Sequence, residues 1–126
     1  MIFGIGTDIV CVERMQSSLL KHGEKFARRI LTDDELDDFK ISANQSHFLA
    51  KRFAAKEATV KAMGLGFSQG LSLRHIGVGH DDNGKPILEY YERAIELYEE
   101  LGIGNSYISI ADEKDHAVAF VTLETR

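Results

Sequence analysis

The chain has 126 residues, 44% of them hydrophobic and 28% charged, which suits one globular α+β domain, residues 1–126, with a modest core. A formal net charge of −5 excludes the basic character of an ordinary nucleic-acid binder, and no apolar run approaches the length of a membrane span. With one cysteine, Cys11, and no basic region or cleavage site at the N-terminus, a reducing, cytoplasmic setting is expected.

The first element, Ile2 to Val10 (IFGIGTDIV), reads as a buried strand of β-branched and apolar residues with close-approach glycines. Alternation puts Gly4, Gly6, Asp8 and Val10 on one face and Ile5, Thr7 and Ile9 on the other. An aspartate in such a run is costly unless it is paired or binds a cation. Two uses of Asp8 stay open: ending the strand and capping the next turn, or holding a metal. Cys11 reads as a small buried hydrophobe rather than a nucleophile.

Two helical segments follow, Glu13 to Leu20 and Lys21 to Ile30, broken at Gly23. Arg14, Lys21, Lys25, Arg28 and Arg29 outnumber Glu13 and Glu24, so this stretch is basic on an acidic chain. It is either a solvated face or a docking face for an acidic partner. Thr32-Asp33-Asp34-Glu35 is a capping box, and its acidic cluster reads as a solvated, dipole-matched helix start. Lys40 to Gln45 is a polar connection, and His47 reads as a surface or capping residue.

Phe48 to Gly66 carries the strongest helical pattern, with Ser46 as its expected N-cap and Gly64 as its C-terminal stop. Alanines at 50, 54, 55, 58 and 62 keep the surface slim. Phe53, Glu57 and Lys61 share one stripe. Glu57 and Lys61 form either an exposed ion pair or, with the Gly-x-Gly turn, a metal and phosphate site.

Beyond Gly66 the pattern turns to strands. Leu71 to Val78 and Lys85 to Glu89 flank an Asp81-Asp82-Asn83-Gly84 turn. Tyr91 to Leu101 is an amphipathic helix ended by Gly102 and Gly104. Ser106 to Ala111 and Ala117 to Glu124 are the last strands, joined by a turn at Asp112 to His116. Helices mixed with strands support α+β rather than a βαβ repeat.

Gly4-x-Gly6-Thr7-Asp8-Ile9-Val10, Arg52-Phe53-Ala54-Ala55-Lys56-Glu57-Ala58 and Lys61-Ala62-x-Gly64-x-Gly66 together resemble the holo-[acyl-carrier-protein] synthases, the small bacterial type of 4′-phosphopantetheinyl transferase. Arg28 to Thr32, Phe48 to Ala50 and Asn83 to Pro86 extend the likeness from residue 2 to about residue 124. The resemblance implies helices packed on a small, mostly antiparallel sheet, and a homotrimer with its active sites between subunits. It implies transfer of 4′-phosphopantetheine from coenzyme A to a serine of apo acyl carrier protein, in support of fatty acid biosynthesis. The serine oxygen attacks the β-phosphorus and adenosine 3′,5′-bisphosphate leaves.

In that reading Asp8 and Glu57 hold Mg²⁺ and Lys61 offsets phosphate charge. Gly64 and Gly66 let backbone N–H groups approach the phosphates. Arg52 fits the 3′-phosphate, and Lys56 fits either a phosphate contact or an ion pair. Asn83, Gly84, Lys85 and Pro86 lie near the coenzyme A of a neighbouring subunit. Arg14, Met15, Lys21, Lys25 and Arg28 meet the carrier protein, with Leu19 a further apolar contact.

One departure stands out. The family commonly has His-Val-Ser-Ile-Ser-His where this chain has Tyr107-Ile108-Ser109-Ile110-Ala111-Asp112, and a tyrosine is no base near neutral pH. Two competing functions share some of these features: a Mg²⁺-dependent nucleotide pyrophosphohydrolase, and a non-catalytic module binding coenzyme A or carrier protein.

Overall fold

The computed structural model describes residues Met1–Arg126. Strand β1 (Ile2–Cys11) leads directly into helix α1 (Val12–His22), then α2 (Glu24–Ile30), α3 (Asp33–Lys40) and the long α4 (Gln45–Met63). A 3₁₀ turn at Leu73–His75 precedes the hairpin strands β2 (Ile76–His80) and β3 (Pro86–Tyr90). Helix α5 (Arg93–Glu100) and strands β4 (Ile103–Asp112) and β5 (His116–Thr125) complete the chain.

Two antiparallel sheets result. One has the order β1-β5-β4, and the other is the β2-β3 hairpin. The chain is thus α+β, with helices packed on small antiparallel sheets, as expected. No helix is long and apolar enough to cross a membrane.

Helix α4 is the axis of the core. Leu49, Ala50, Ala54, Ala55, Ala58 and Val60 are fully buried along it. Such a helix is apolar on more than one side because sheet, hairpin and neighbouring helices all pack on it. Its alanines permit an unusually close approach by β1. A Cβ on Gly4 would stand 2.0 Å from the Ala62 carbonyl oxygen, and one on Gly6 2.0 Å from that of Ala58. These two glycines are required by helix–strand contact, not by their backbone angles.

Several expected boundaries move. Asn44, not Ser46, caps α4: its side chain accepts from the His47 N–H, and Ser46 donates to the same oxygen. Leu71–Leu73 is no strand, because a 3₁₀ turn brings the chain into β2 only at Ile76. Strand β1 is not buried on both faces. Gly6 and Val10 face α4, whereas Ile5, Thr7 and Ile9 are exposed. The same outer face continues on β5 and β4 in rows set by the register: Ile5–Thr122–Tyr107, Thr7–Phe120–Ser109 and Ile9–Val118–Ala111.

Candidate active site

The close approach of β1 to α4 decides which polar groups meet. Asp8 sits on the α4 face of β1 with its side chain 16% exposed. Lys61, on the last turn of α4, reaches across to it: Nζ donates to Asp8 Oδ1 at 3.0 Å and to the Thr7 carbonyl at 2.9 Å. The helical ion pair between Glu57 and Lys61 is therefore not the contact that forms. Lys61 bridges two elements.

Glu57 lies one turn earlier on the same helix and is half-buried. Burial raises its pKa, and the negative charge of Asp8 raises it further, against the pull of Lys61. The two carboxylates thus sense one another across the strand–helix contact, and a divalent cation would relieve the repulsion. No third His, Cys, Asp or Glu joins them in a cluster. Two carboxylates with room for water and phosphate oxygens suit Mg²⁺, which keeps much of its shell for such ligands. The residues present fit that ion.

Past Lys61 the helix ends in a left-handed turn at Gly64 (φ 80°), and Gly66 is also left-handed (φ 68°). A Cβ at either would meet open space, so the positive φ is what selects glycine there. Gly66 is exposed, and its N–H has no hydrogen-bond partner within the chain.

Other expected site residues make different contacts. Lys56 is fully buried. It donates to Glu35 Oε1 (2.6 Å), the Leu73 carbonyl (3.0 Å) and the Ile76 carbonyl (2.6 Å), which uses all three of its N–H groups. Of the two roles left open for it, the structure shows the ion pair. Burial pushes its pKa down to about 8, with Glu35 opposing, so it is still charged at neutral pH. Arg52 is 7% exposed; it donates to Glu35 Oε2 at 3.3 Å and lies 4.4 Å over the Phe48 ring. Glu35 is no solvated helix-start residue. It is 2% exposed and also accepts from the N–H groups of Thr32 and Val78. The Thr32–Glu35 capping box itself is present.

Asn83, Gly84, Lys85 and Pro86 form the tip of the β2-β3 hairpin. Asp81 organises that tip by accepting from the Asn83 and Lys85 N–H groups, each at 2.9 Å. No hydrogen bond or ion pair joins the tip to Asp8, Glu57 or Lys61 within the chain.

On α1 and α2, Arg14, Lys21, Lys25 and Arg28 are exposed. Arg28 is held by Glu24 at 3.0 Å. Met15 is 4% exposed and belongs to the core, so it offers no docking contact; the apolar side chain displayed there is Leu20, 83% exposed. Tyr107 donates to Glu124 Oε1 at 2.8 Å, which with partial desolvation holds its pKa above the usual value.

Four surface concavities are lined by other residues, among them Arg74 and His75, or His47 and Lys114, and none by Asp8, Glu57 or Lys61.

Comparison with known proteins follows the same line. The model of the 4′-phosphopantetheinyl transferase superfamily matches residues 4–121. A holo-[acyl-carrier-protein] synthase of Nitrosococcus oceani is 57% identical over 123 residues, covering 98% of this chain and 80% of that protein. The crystal structure of the holo-[acyl-carrier-protein] synthase of Neisseria meningitidis superposes with a TM-score of 0.94 at 46% identity, covering 99% of this chain and 100% of that one. A Bacillus anthracis holo-(acyl-carrier-protein) synthase, solved in complex with CoA (3′,5′-ADP), has a TM-score of 0.82 at 38% identity, with 100% and 99% covered.

Proposed function

The chain belongs to the 4′-phosphopantetheinyl transferase superfamily, and we infer that it transfers 4′-phosphopantetheine from coenzyme A to a serine of apo acyl carrier protein. Coenzyme A is the substrate that its relatives' structures hold. In the reaction the serine hydroxyl gives up its proton, to Glu57 or to a water, as its oxygen forms a bond to the β-phosphorus. The bond from that phosphorus to the bridging oxygen breaks, and adenosine 3′,5′-bisphosphate departs. Such chemistry asks the protein for positioning and charge more than for covalent help.

The observation that carries the reading is the meeting of Asp8, Glu57 and Lys61 at the β1–α4 contact. Asp8 and Glu57 would hold Mg²⁺, which when bound acts as a Lewis acid and template at the pyrophosphate. Lys61 is poised to lend its charge to the same phosphates, and the Gly66 N–H to donate to them. Lys85 and Asn83, free at the hairpin tip, would contact coenzyme A from a second subunit.

Assembly is part of this proposal. Ile5, Ile9, Val118, Phe120 and Tyr107 stand exposed together on the outer sheet face, an apolar surface of the kind that marks an interface. Pairing this face with other copies, in a homotrimer, would take that apolar surface out of water. Arg14, Lys21 and Lys25, beside the apolar Leu20, then form a docking face for the acidic carrier, where charge complementarity sets orientation and on-rate. The fatty-acid pathway in the cytoplasm is the setting that fits.

The test is nucleotide release from coenzyme A with and without apo carrier protein. Adenosine 3′,5′-bisphosphate should appear only with the carrier present. Release without it would identify a pyrophosphohydrolase instead.

A further inference from the structure

Lys56 and Glu35 reach beyond their own helices to the edge of β2 and to the 3₁₀ turn that leads into it. Lys56 Nζ reaches the Leu73 and Ile76 carbonyls, and Glu35 Oε2 accepts from the Val78 N–H at 3.0 Å. The hairpin register explains why these groups are available. Tyr91 donates to the His75 carbonyl, which makes His75 and Tyr91 a hydrogen-bonded pair; alternation along the ladder then turns the backbone groups of Ile76 and Val78 away from β3. Ile76 and Val78 are 0% and 4% exposed, so this free edge of β2 is buried. Its donor and acceptor need partners, and a charged pair from α3 and α4 supplies them.

An isolated two-stranded hairpin is marginal in water. Apolar contacts hold it to the core but do not fix its tilt, since burial is not directional. The bonds from Lys56 and Glu35 are directional. A buried ion pair is weak evidence for stability, because apolar residues of like volume often serve as well. What such residues cannot do is hold the Ile76 carbonyl and the Val78 N–H of one strand edge in register, together with the Leu73 carbonyl of the turn before it.

We propose that Glu35 and Lys56 are positioning residues that set the angle of the β2-β3 hairpin against α4, and thereby the place of the Asn83–Pro86 loop in the coenzyme A site. This rests on the reading of that loop as a coenzyme A contact. The leverage is substantial. At about 3.3 Å per residue the tip lies roughly 15 Å beyond Val78, so a tilt of about 5° displaces it by about 1 Å. A displacement of that size can cost up to about a hundredfold in a positioned reaction. Lys56 also precedes Glu57 in the helix, so one short segment of α4 serves both the acidic pair and the hairpin.

The experiment is steady-state kinetics on the full-length protein with Glu35→Leu/Lys56→Met, an apolar replacement of the pair. Glu35→Gln keeps the shape and serves as the milder second variant. Lys85→Ala reads the loop itself, and the pair variants are repeated in the Lys85→Ala background. The expected result is a rise in KM for coenzyme A of about tenfold in the pair variants, with KM for the carrier within about twofold. No further rise should appear once Lys85 is gone, because residues acting through one another are not additive. An unchanged KM for coenzyme A while Lys85→Ala raises it would overturn the proposal and leave the loop reading intact. Effects that multiply with that of Lys85→Ala would overturn it too, as a general structural role. If Lys85→Ala alone changes nothing, the loop reading fails and the proposal falls with it. Unfolding of both pair variants would show a core role and not a positioning one.

Discussion

Lys61 Nζ lies 3.0 Å from Asp8 Oδ1, spanning helix α4 and strand β1, while Glu57 on its own helix is left without that partner. In the proposed reaction that cation would offset charge on the phosphates. Lys61→Met should lower kcat by about a hundredfold or more, the usual cost of removing one aligned charge at such a site. Its side chain is 53% exposed, so stability should move by less than about 1 kcal/mol. Paired kinetics and denaturant titration check this. Equal losses of both would show the lysine to be structural.

Gly6 is the tightest point of the fold. A methyl group there would stand 2.0 Å from the Ala58 carbonyl oxygen and 2.7 Å from the Ala62 nitrogen, both in a buried helix backbone that cannot yield. Gly6→Ala should destabilise by about 1–3 kcal/mol or more, seen as a lowered denaturant midpoint. Activity should fall as well, because the same shift separates Asp8 from Glu57 and Lys61.

Much of this arrangement is legible in the sequence, and the parts that are not share a physical cause. Glycines at 4 and 6 with alanines at 54, 58 and 62 announce a strand lying on a slim helix, and Asp8 and Glu57 follow as facing groups. The Thr32–Glu35 box is equally readable because capping is local. The fate of the Glu35 side chain is not, since its partners, Lys56 and Val78, come from distant segments. Lys56 reads as either a phosphate contact or an ion pair, and its full burial is set by the packing of distant segments on α4. The resemblance puts Met15 on the docking face, but helix periodicity alone does not say which side of α1 meets the core. The outer face of β1 reads as buried because the sequence alone does not say whether anything covers Ile5 and Ile9.

Phe120 sits at the centre of that outer face, in one row with Thr7 and Ser109. Phe120→Lys should yield a folded monomer by sedimentation, with activity reduced far more than stability. A native protein that sediments as a monomer with full activity would remove the assembly from the account.

Lys56 gives a pH signature. Its folded pKa, near 8, lies below the ordinary value of 10.5. Between those values the unfolded chain holds a proton that the folded chain has released, so stability from this group rises with pH. The slope approaches at most about 1.4 kcal/mol per pH unit and vanishes above about pH 10.5. Denaturant titrations from pH 8 to 10.5 should show this rise in the native protein relative to Lys56→Met. Parallel curves for the two would mean that burial does not depress the lysine.

The most direct test is the intact mass of apo acyl carrier protein after incubation with this protein, coenzyme A and Mg²⁺. The account predicts a gain of one phosphopantetheine, abolished by EDTA and by Asp8→Asn or Glu57→Gln in folded protein. No gain while coenzyme A still binds, or a gain that survives loss of both carboxylates, would contradict it.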